Sequence, residues 1–314
     1  MPDTPENQAA YPQHGNQKKG VGFPIGRMVG VLCLGSGAVL GAALGAHKGK
    51  NTGEHALLRQ LLDCLEPGDI LLGDRYYASY WLIAVLSAMG VSVVFGQHGT
   101  RKTDFRKGER LGKKDHIVTW KKPAACPDWM DSEQYDGFPE IIRVRECKIN
   151  GTPLVTTLLS PRDTPKPALF ELYKQRWHVE LDLRNIKTTL GMESLSCKTP
   201  AMNEKEMWVY FLAYNLIRLL MCEAALRAEI MPRLIGFKHT LQIWLAWNRY
   251  SGSGSDDKQE YLFVLIAQRR VGNRPNRIEP RAVKKRPKAF PKLNQSRYLA
   301  REDVRRHGQV KRLK

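Results

Sequence analysis

Two short apolar runs without internal charge, Ile70-Leu71-Leu72-Gly73 within Asp69–Asp74 and Val91–Phe95, bracket a helical stretch from Ala78 to Met89. A strand with no polar alternation buries both faces, so these runs belong inside a sheet that carries helices on its two sides. Upstream, Met28–Ala46 is a 19-residue segment without a charge. Gly37, Gly41 and Gly45 at GxxxG spacing leave a membrane helix as one reading of that segment. The glycines dilute its hydrophobicity, however, and Gly35-Ser36-Gly37 supplies turn chemistry at its middle, which favours a hairpin of two buried strands. Gly53–Leu65 reads as a helix closed by Pro67-Gly68. The order strand, strand, helix, strand, helix, strand predicts a mixed α/β sheet with flanking helices.

Organisation changes at Gly99. From there to Lys122 nine Lys and Arg face three acids, and the next clear strands are Ile141–Ile149 and Leu154–Leu159. Residues 99–160 are therefore expected as a β-rich insertion between 1–98, the first part of a core, and 161–250, its last helices. Pro161, Pro165 and Pro167 end the extended chain and open a long helix that runs to Leu190 and stops at Gly191. Glu206–Glu229 is apolar but carries Asn215, Arg218 and Glu223, so it reads as a core helix, followed by another from Leu234 to Tyr250. Ser251–Ser255 reads as a flexible linker opening a basic C-terminal tail over 251–314. Beyond Ala267 there are 17 Lys and Arg against three acids, and 14 of the 19 net positive charges lie there.

With 50 Lys plus Arg against 31 Asp plus Glu, polyanions are the expected partners. Six cysteines without a Cys-x-x-Cys pair support neither a zinc ribbon nor a secreted disulfide framework. The start lacks the basic and apolar regions of a secretory signal. A reducing cytoplasm, in association with the nucleoid, is the expected location, with no membrane.

Tyr173, Arg176, Glu180 and Lys187 fall within an arc of about 60° on the helix that opens near Pro167. A carboxylate that can hold a divalent metal beside cations that can hold phosphate is the pairing phosphodiester chemistry needs. Arg184 projects close to the same stripe, Asp182 to the opposite side and His178 away from it. Asp74, at the exposed end of an apolar strand, is the candidate second carboxylate.

Gly73-Asp74-Arg75-Tyr76-Tyr77 resembles the second-aspartate motif of insertion-sequence DDE transposases. Tyr173-Lys-Gln-Arg176-Trp-His-Val-Glu180 with Lys187 resembles their third, the Tyr-Arg-Glu-Lys signature. Gly53–Leu62 and Ile186–Met192 are similar to the same group, and the likeness covers nearly the whole chain. The resemblance implies a ribonuclease-H-like mixed sheet interrupted by a β-strand insertion. It makes Asp74 and Glu180 two of three metal-holding carboxylates, for Mg²⁺ or Mn²⁺, in DNA cleavage and strand transfer. Tyr173, Arg176, Lys187 and, more weakly, Arg184 would clamp phosphates of the transposon end. The partners implied are DNA, as transposon ends and target, and a second copy in a paired-end homodimer. The first Asp of the family pattern, on the first core strand, has no counterpart: Asp3 lies between Pro2 and Pro5 in a polar stretch. A shortened copy, lacking that strand and one ligand, with weak or absent strand cleavage, is the expectation.

Two other readings compete. Gly45–Thr52 sits like a nucleotide-binding loop, but G-x-x-x-x-G-K-[ST] needs Gly where Leu44 stands and Ser or Thr where Asn51 stands. A non-catalytic nucleic-acid binder explains the charge but not a carboxylate at the centre of the stripe.

Overall fold

The computed structural model describes residues 1–250, 256–272 and 294–309. Helix α1 (Pro5–Ala10) starts the chain, capped by the Thr4 hydroxyl, which accepts from Asn7 N–H. Strands β1 (Gly26–Leu32) and β2 (Val39–Ala46) form the expected hairpin, an antiparallel two-stranded sheet. Its turn uses Gly37 at φ +80°, a left-handed conformation open to glycine. The helix expected to run to Leu65 is shorter: α2 (Glu54–Arg59) gives way to a 3₁₀ turn at Leu62–Cys64.

Next come β3 (Ile70–Gly73), α3 (Tyr80–Ala88) and β4 (Ser92–Gly96). Ser79 caps α3 by accepting from Leu82 N–H, and Gly90, at φ +74°, turns the chain back for β4. The two strands are parallel, as a strand–helix–strand crossover allows. β4 is buried on both faces: Val93 and Phe95 enter one core with α3 and α2, and Val94 enters a second with Leu154 and Leu169.

Strands β5 (Glu109–Gly112), β6 (Asp115–Lys121), β7 (Ile141–Ile149) and β8 (Thr152–Thr156) follow, with α4 (Ser132–Asp136) between β6 and β7. They do not make a sheet of their own. β8 pairs antiparallel with β4, with Val94 opposite Thr156, giving one six-stranded mixed sheet of order β3-β4-β8-β7-β6-β5. Asn150 and Gly151 both have positive φ, the two-residue geometry that matches the right-handed twist of the β7–β8 hairpin. Among the described residues no strand pairs with the outer edge of β1 or of β3.

The long helix expected from Pro167 to Leu190 is broken. α5 (Lys166–Lys174) and α6 (Trp177–Arg184) meet at a tightened joint, where His178 and Val179 N–H donate to the carbonyls of Gln175 and Arg176. Asn185–Thr189 then widens into a π-helical turn. α7 (Pro200–Arg227), capped by Thr199, packs against α8 (Phe237–Tyr250) and α9 (Asp256–Ala267). The expected tail from 251 therefore begins too early, because Leu262 and Ile266 of α9 are buried against this helical core. The Ser251–Ser255 linker lies outside the described residues, as does part of the tail. α10 (Arg297–His307) is the last element among the described residues, and Arg297 pairs with Asp3.

Candidate functional site

Parallel pairing places the carboxyl ends of β3 and β4 side by side, with Gly73 opposite Phe95, so Asp74 comes beside Gly96. In open α/β sheets ligands gather beyond the carboxyl ends of parallel strands. Asp74 caps the 3₁₀ turn Arg75–Tyr77 by accepting from Tyr76 N–H at 2.7 Å through one oxygen. Among the described residues its other oxygen has no hydrogen-bond partner.

A cavity of about 610 Å³ opens at this edge. Asp74 and Arg75 line it with Gly96 at the end of β4, Gln97–Gly99, Arg101 and Thr103 beyond it, the β7–β8 hairpin through Lys148 and Gly151–Pro153, and Tyr173 and Arg176 of the α5–α6 joint. Segments a hundred residues apart, at Asp74 and at Tyr173–Arg176, thus line one cavity, and Glu180 is not among its lining residues. The approach is close: a Cβ on Gly96 would lie 2.8 Å from the Tyr173 hydroxyl and 3.2 Å from the Arg75 amide nitrogen. Arg176 donates to Glu180 at 3.3 Å, which ties the second carboxylate to the cavity wall. One acid, Asp74, and four cations, Arg75, Arg101, Lys148 and Arg176, face the space, an electrostatic setting for phosphate.

The irregular helix departs from the expected stripe. A 3₁₀ joint turns more per residue and a π turn less than the regular helix assumed for it. Tyr173 and Arg176 line the Asp74 cavity, whereas Lys187 lines a different one with Met1, Pro2 and Phe23–Gly26. Arg184 is exposed and lines neither. Asp182, two residues beyond Glu180, is fully buried between Arg218, to which it is ion-paired, and Arg233 at 2.7 Å. That double pairing fixes the rotation of α6 about its axis, and with it the direction of Glu180.

Residues not singled out from the pattern hold the other wall. Arg101 lies over Trp120, its guanidinium carbon 3.8 Å from the ring centroid. Trp120 donates its indole N–H to Glu146 at 2.9 Å, and His116 sits between Glu146 and the Lys107 carbonyl, at 3.4 and 2.6 Å. Behind them Arg145, fully buried, makes a two-pronged pair with Asp115 at 2.8 and 2.7 Å and donates to the Thr164 carbonyl. Beside Asp74, burial lowers the His55 pKa below its ordinary value despite a hydrogen bond to the Tyr76 carbonyl. Burial, with the Glu54 and Asp74 carboxylates, raises the Tyr77 phenol well above its usual range.

Among the described residues no group of three or more His, Cys, Asp or Glu side chains converges to hold a metal. Asp74 and Glu180 offer two carboxylates, one of them engaged by Arg176. That donor set falls short of a two-metal clamp, whose ions need a third, bridging carboxylate.

The mixed sheet with flanking helices is a ribonuclease-H-like transposase fold, and the chain belongs to the transposase DDE domain family, which matches residues 2–216. It is similar to the transposase InsG for insertion sequence element IS4 of Escherichia coli strain K12, at 28% identity over 304 residues. The match covers 92% of this chain and 66% of that relative, so the chain spans just under two thirds of the relative's length.

Proposed function

We propose that the chain binds DNA at insertion-sequence ends through the Asp74 cavity, as part of cleavage and strand transfer with Mg²⁺ or Mn²⁺ as the family's metal. The observation that carries this reading is the convergence of Asp74, Tyr173 and Arg176 on one cation-lined cavity, with Arg176 bonded to Glu180. In this reading Arg75, Arg101, Lys148 and Arg176 hold backbone phosphates, and the Tyr173 hydroxyl orients one of them. Lys187 and Arg184 meet the flanking duplex outside the cavity. A divalent metal would supply charge neutralisation at the scissile phosphate, and Asp74 and Glu180 are the residues that would touch it. Because two carboxylates cannot bridge two ions fully, strand cleavage by this chain is weak or absent while DNA binding persists.

The incomplete donor set also favours a second reading, a non-catalytic nucleic-acid binder. Binding of a duplex carrying the element's ends, measured by fluorescence anisotropy from 50 to 200 mM salt with and without Mg²⁺, separates the two. The first reading expects affinity to fall by orders of magnitude over that range and the Mg²⁺-dependent part to vanish in Glu180→Ala. Tighter binding by Glu180→Ala, with no Mg²⁺ effect, would establish the second reading. Salt-independent binding would remove both.

A further inference from the structure

His116, Val118 and Trp120 alternate onto one face of β6, and the β6–β7 register sets Glu146 directly across from His116 on that face. His116, Trp120 and Glu146 are all buried. A buried carboxylate persists only where partners satisfy it. Those of Glu146 come from β6: the Trp120 indole donates to one oxygen at 2.9 Å, and a ring nitrogen of His116 lies 3.4 Å from the other. The Lys107 carbonyl, 2.6 Å from the second ring nitrogen of His116, can only accept, so that nitrogen donates to it. Gly108, at φ +78°, lets the chain after Lys107 pass so close to β6 that a Cβ there would collide with the Ile117 carbonyl oxygen.

The segment pinned at Lys107 is the one that carries Arg101. The Arg101 guanidinium sits over the Trp120 ring, and among the described residues no acid forms a salt bridge with it. Burial lowers its pKa, and the nearby Glu146 carboxylate opposes that fall. Arg176, across the cavity, is instead engaged by Glu180. A cation held by an aromatic ring rather than by a carboxylate keeps its N–H groups for another anion. An indole whose N–H donates to a carboxylate also carries more negative charge on its face, which strengthens its hold on the cation.

We propose that Glu146 is a positioning residue for Arg101, acting through Trp120. The carboxylate fixes and polarises the indole, and the indole keeps the guanidinium on the cavity wall, open to a DNA phosphate. His116 completes the arrangement by tying Glu146 to the segment that bears Arg101. This role rests on the reading of the Asp74 cavity as a phosphate site.

Anisotropy titrations of the full chain with the same end duplex and salt range test it, each variant being first matched to the parent by circular dichroism. Arg101→Ala is expected to weaken binding about tenfold and to lower the salt slope by about one phosphate. Glu146→Gln keeps an acceptor for the indole but removes a negative charge near Arg101, so charge alone would tighten binding; the expected result is a loss of roughly two- to fivefold. Trp120→Phe, which keeps a ring and drops the N–H donor, should lose a similar factor, and it carries the same comparison if Glu146→Gln does not fold. Both losses should vanish when the change is made in Arg101→Ala. Losses that persist there mark a merely structural role and overturn the proposal, as does Glu146→Gln binding as tightly as the parent or tighter. Arg101→Ala that binds like the parent, while Arg176→Ala does not, overturns the proposal and leaves the cavity reading standing. Salt-independent binding by the parent removes that reading and the proposal with it.

Discussion

The two walls of the Asp74 cavity are built in opposite ways. The sheet wall rests on continuous ladders from β3 to β5, on Arg145 locked to Asp115, and on Arg101 stacked over a hydrogen-bonded tryptophan. The helical wall is a succession of α, 3₁₀ and π geometry, half-exposed, pinned chiefly where Asp182 meets Arg218 and Arg233. Both depend on a buried acid between cations or opposite one, yet only the helical acid sits two residues from a side chain of the proposed chemistry. A site can thus take its rigidity from one wall and its adjustable groups from the other, with a single buried carboxylate setting their phase.

The largest effect that probes this contrast comes from removing the two acids in turn. Asp182→Ala and Asp115→Ala each leave buried guanidinium groups unpaired and should each cost about 3–5 kcal/mol in urea unfolding. DNA affinity of the folded fraction should fall in Asp182→Ala and hold in Asp115→Ala; equal losses would break the distinction between the walls. Gly96→Ala comes next, pressing a methyl group between the walls at about 1–3 kcal/mol of strain, with Tyr173 displaced and DNA affinity reduced. Unchanged affinity in that variant would show that Tyr173 does not touch DNA. Arg176→Ala is expected to weaken binding about tenfold and to lower the slope of affinity against salt by about one phosphate, while thermal stability barely moves.

The smallest effect concerns pH. Burial lowers the folded pKa of His55 beside the cavity and, with Arg233 nearby, of His178 on α6. Their neutral forms are favoured in the folded chain, so the stability they support is full above the ordinary histidine pKa of 6.5 and is lost as pH falls through the folded values. The urea midpoint should decline below pH 6.5, and His55→Gln should flatten part of that decline. An unaltered pH profile in His55→Gln would move the whole effect to the helical wall.

Much of the frame was legible in local patterns. The charge-free hairpin, the two buried strands around α3 and the bounds of β7 follow from periodicity and turn residues, and Asp74 follows from its place at a strand end. What escaped was non-local or subtle. Pairing of β8 with β4 joins residues about sixty apart, and no local signal says that the insertion extends the core sheet. The α5–α6 joint contains neither glycine nor proline, so nothing in residue type marks the break that separates Lys187 from Tyr173. Residues 256–267 were hidden behind a Ser-Gly run, although Leu262 and Ile266 at helical spacing carried a core signal. Arg101 was visible within a basic stretch, but which of its charges turned inward depended on Trp120. Lys148 could have been placed from Asn150-Gly151, the turn that folds its hairpin toward Asp74.

The β4–β8 pairing also sets a timetable for synthesis. Asp74 is made before the floor beside it, which is unfinished until Thr152–Thr156 has docked, and the far wall waits for Tyr173 and Arg176. Because such distant closures form late, a half-made chain presents loose basic segments and no completed cleft. The cleft is therefore complete only once Tyr173 and Arg176 have followed Thr152–Thr156 into place.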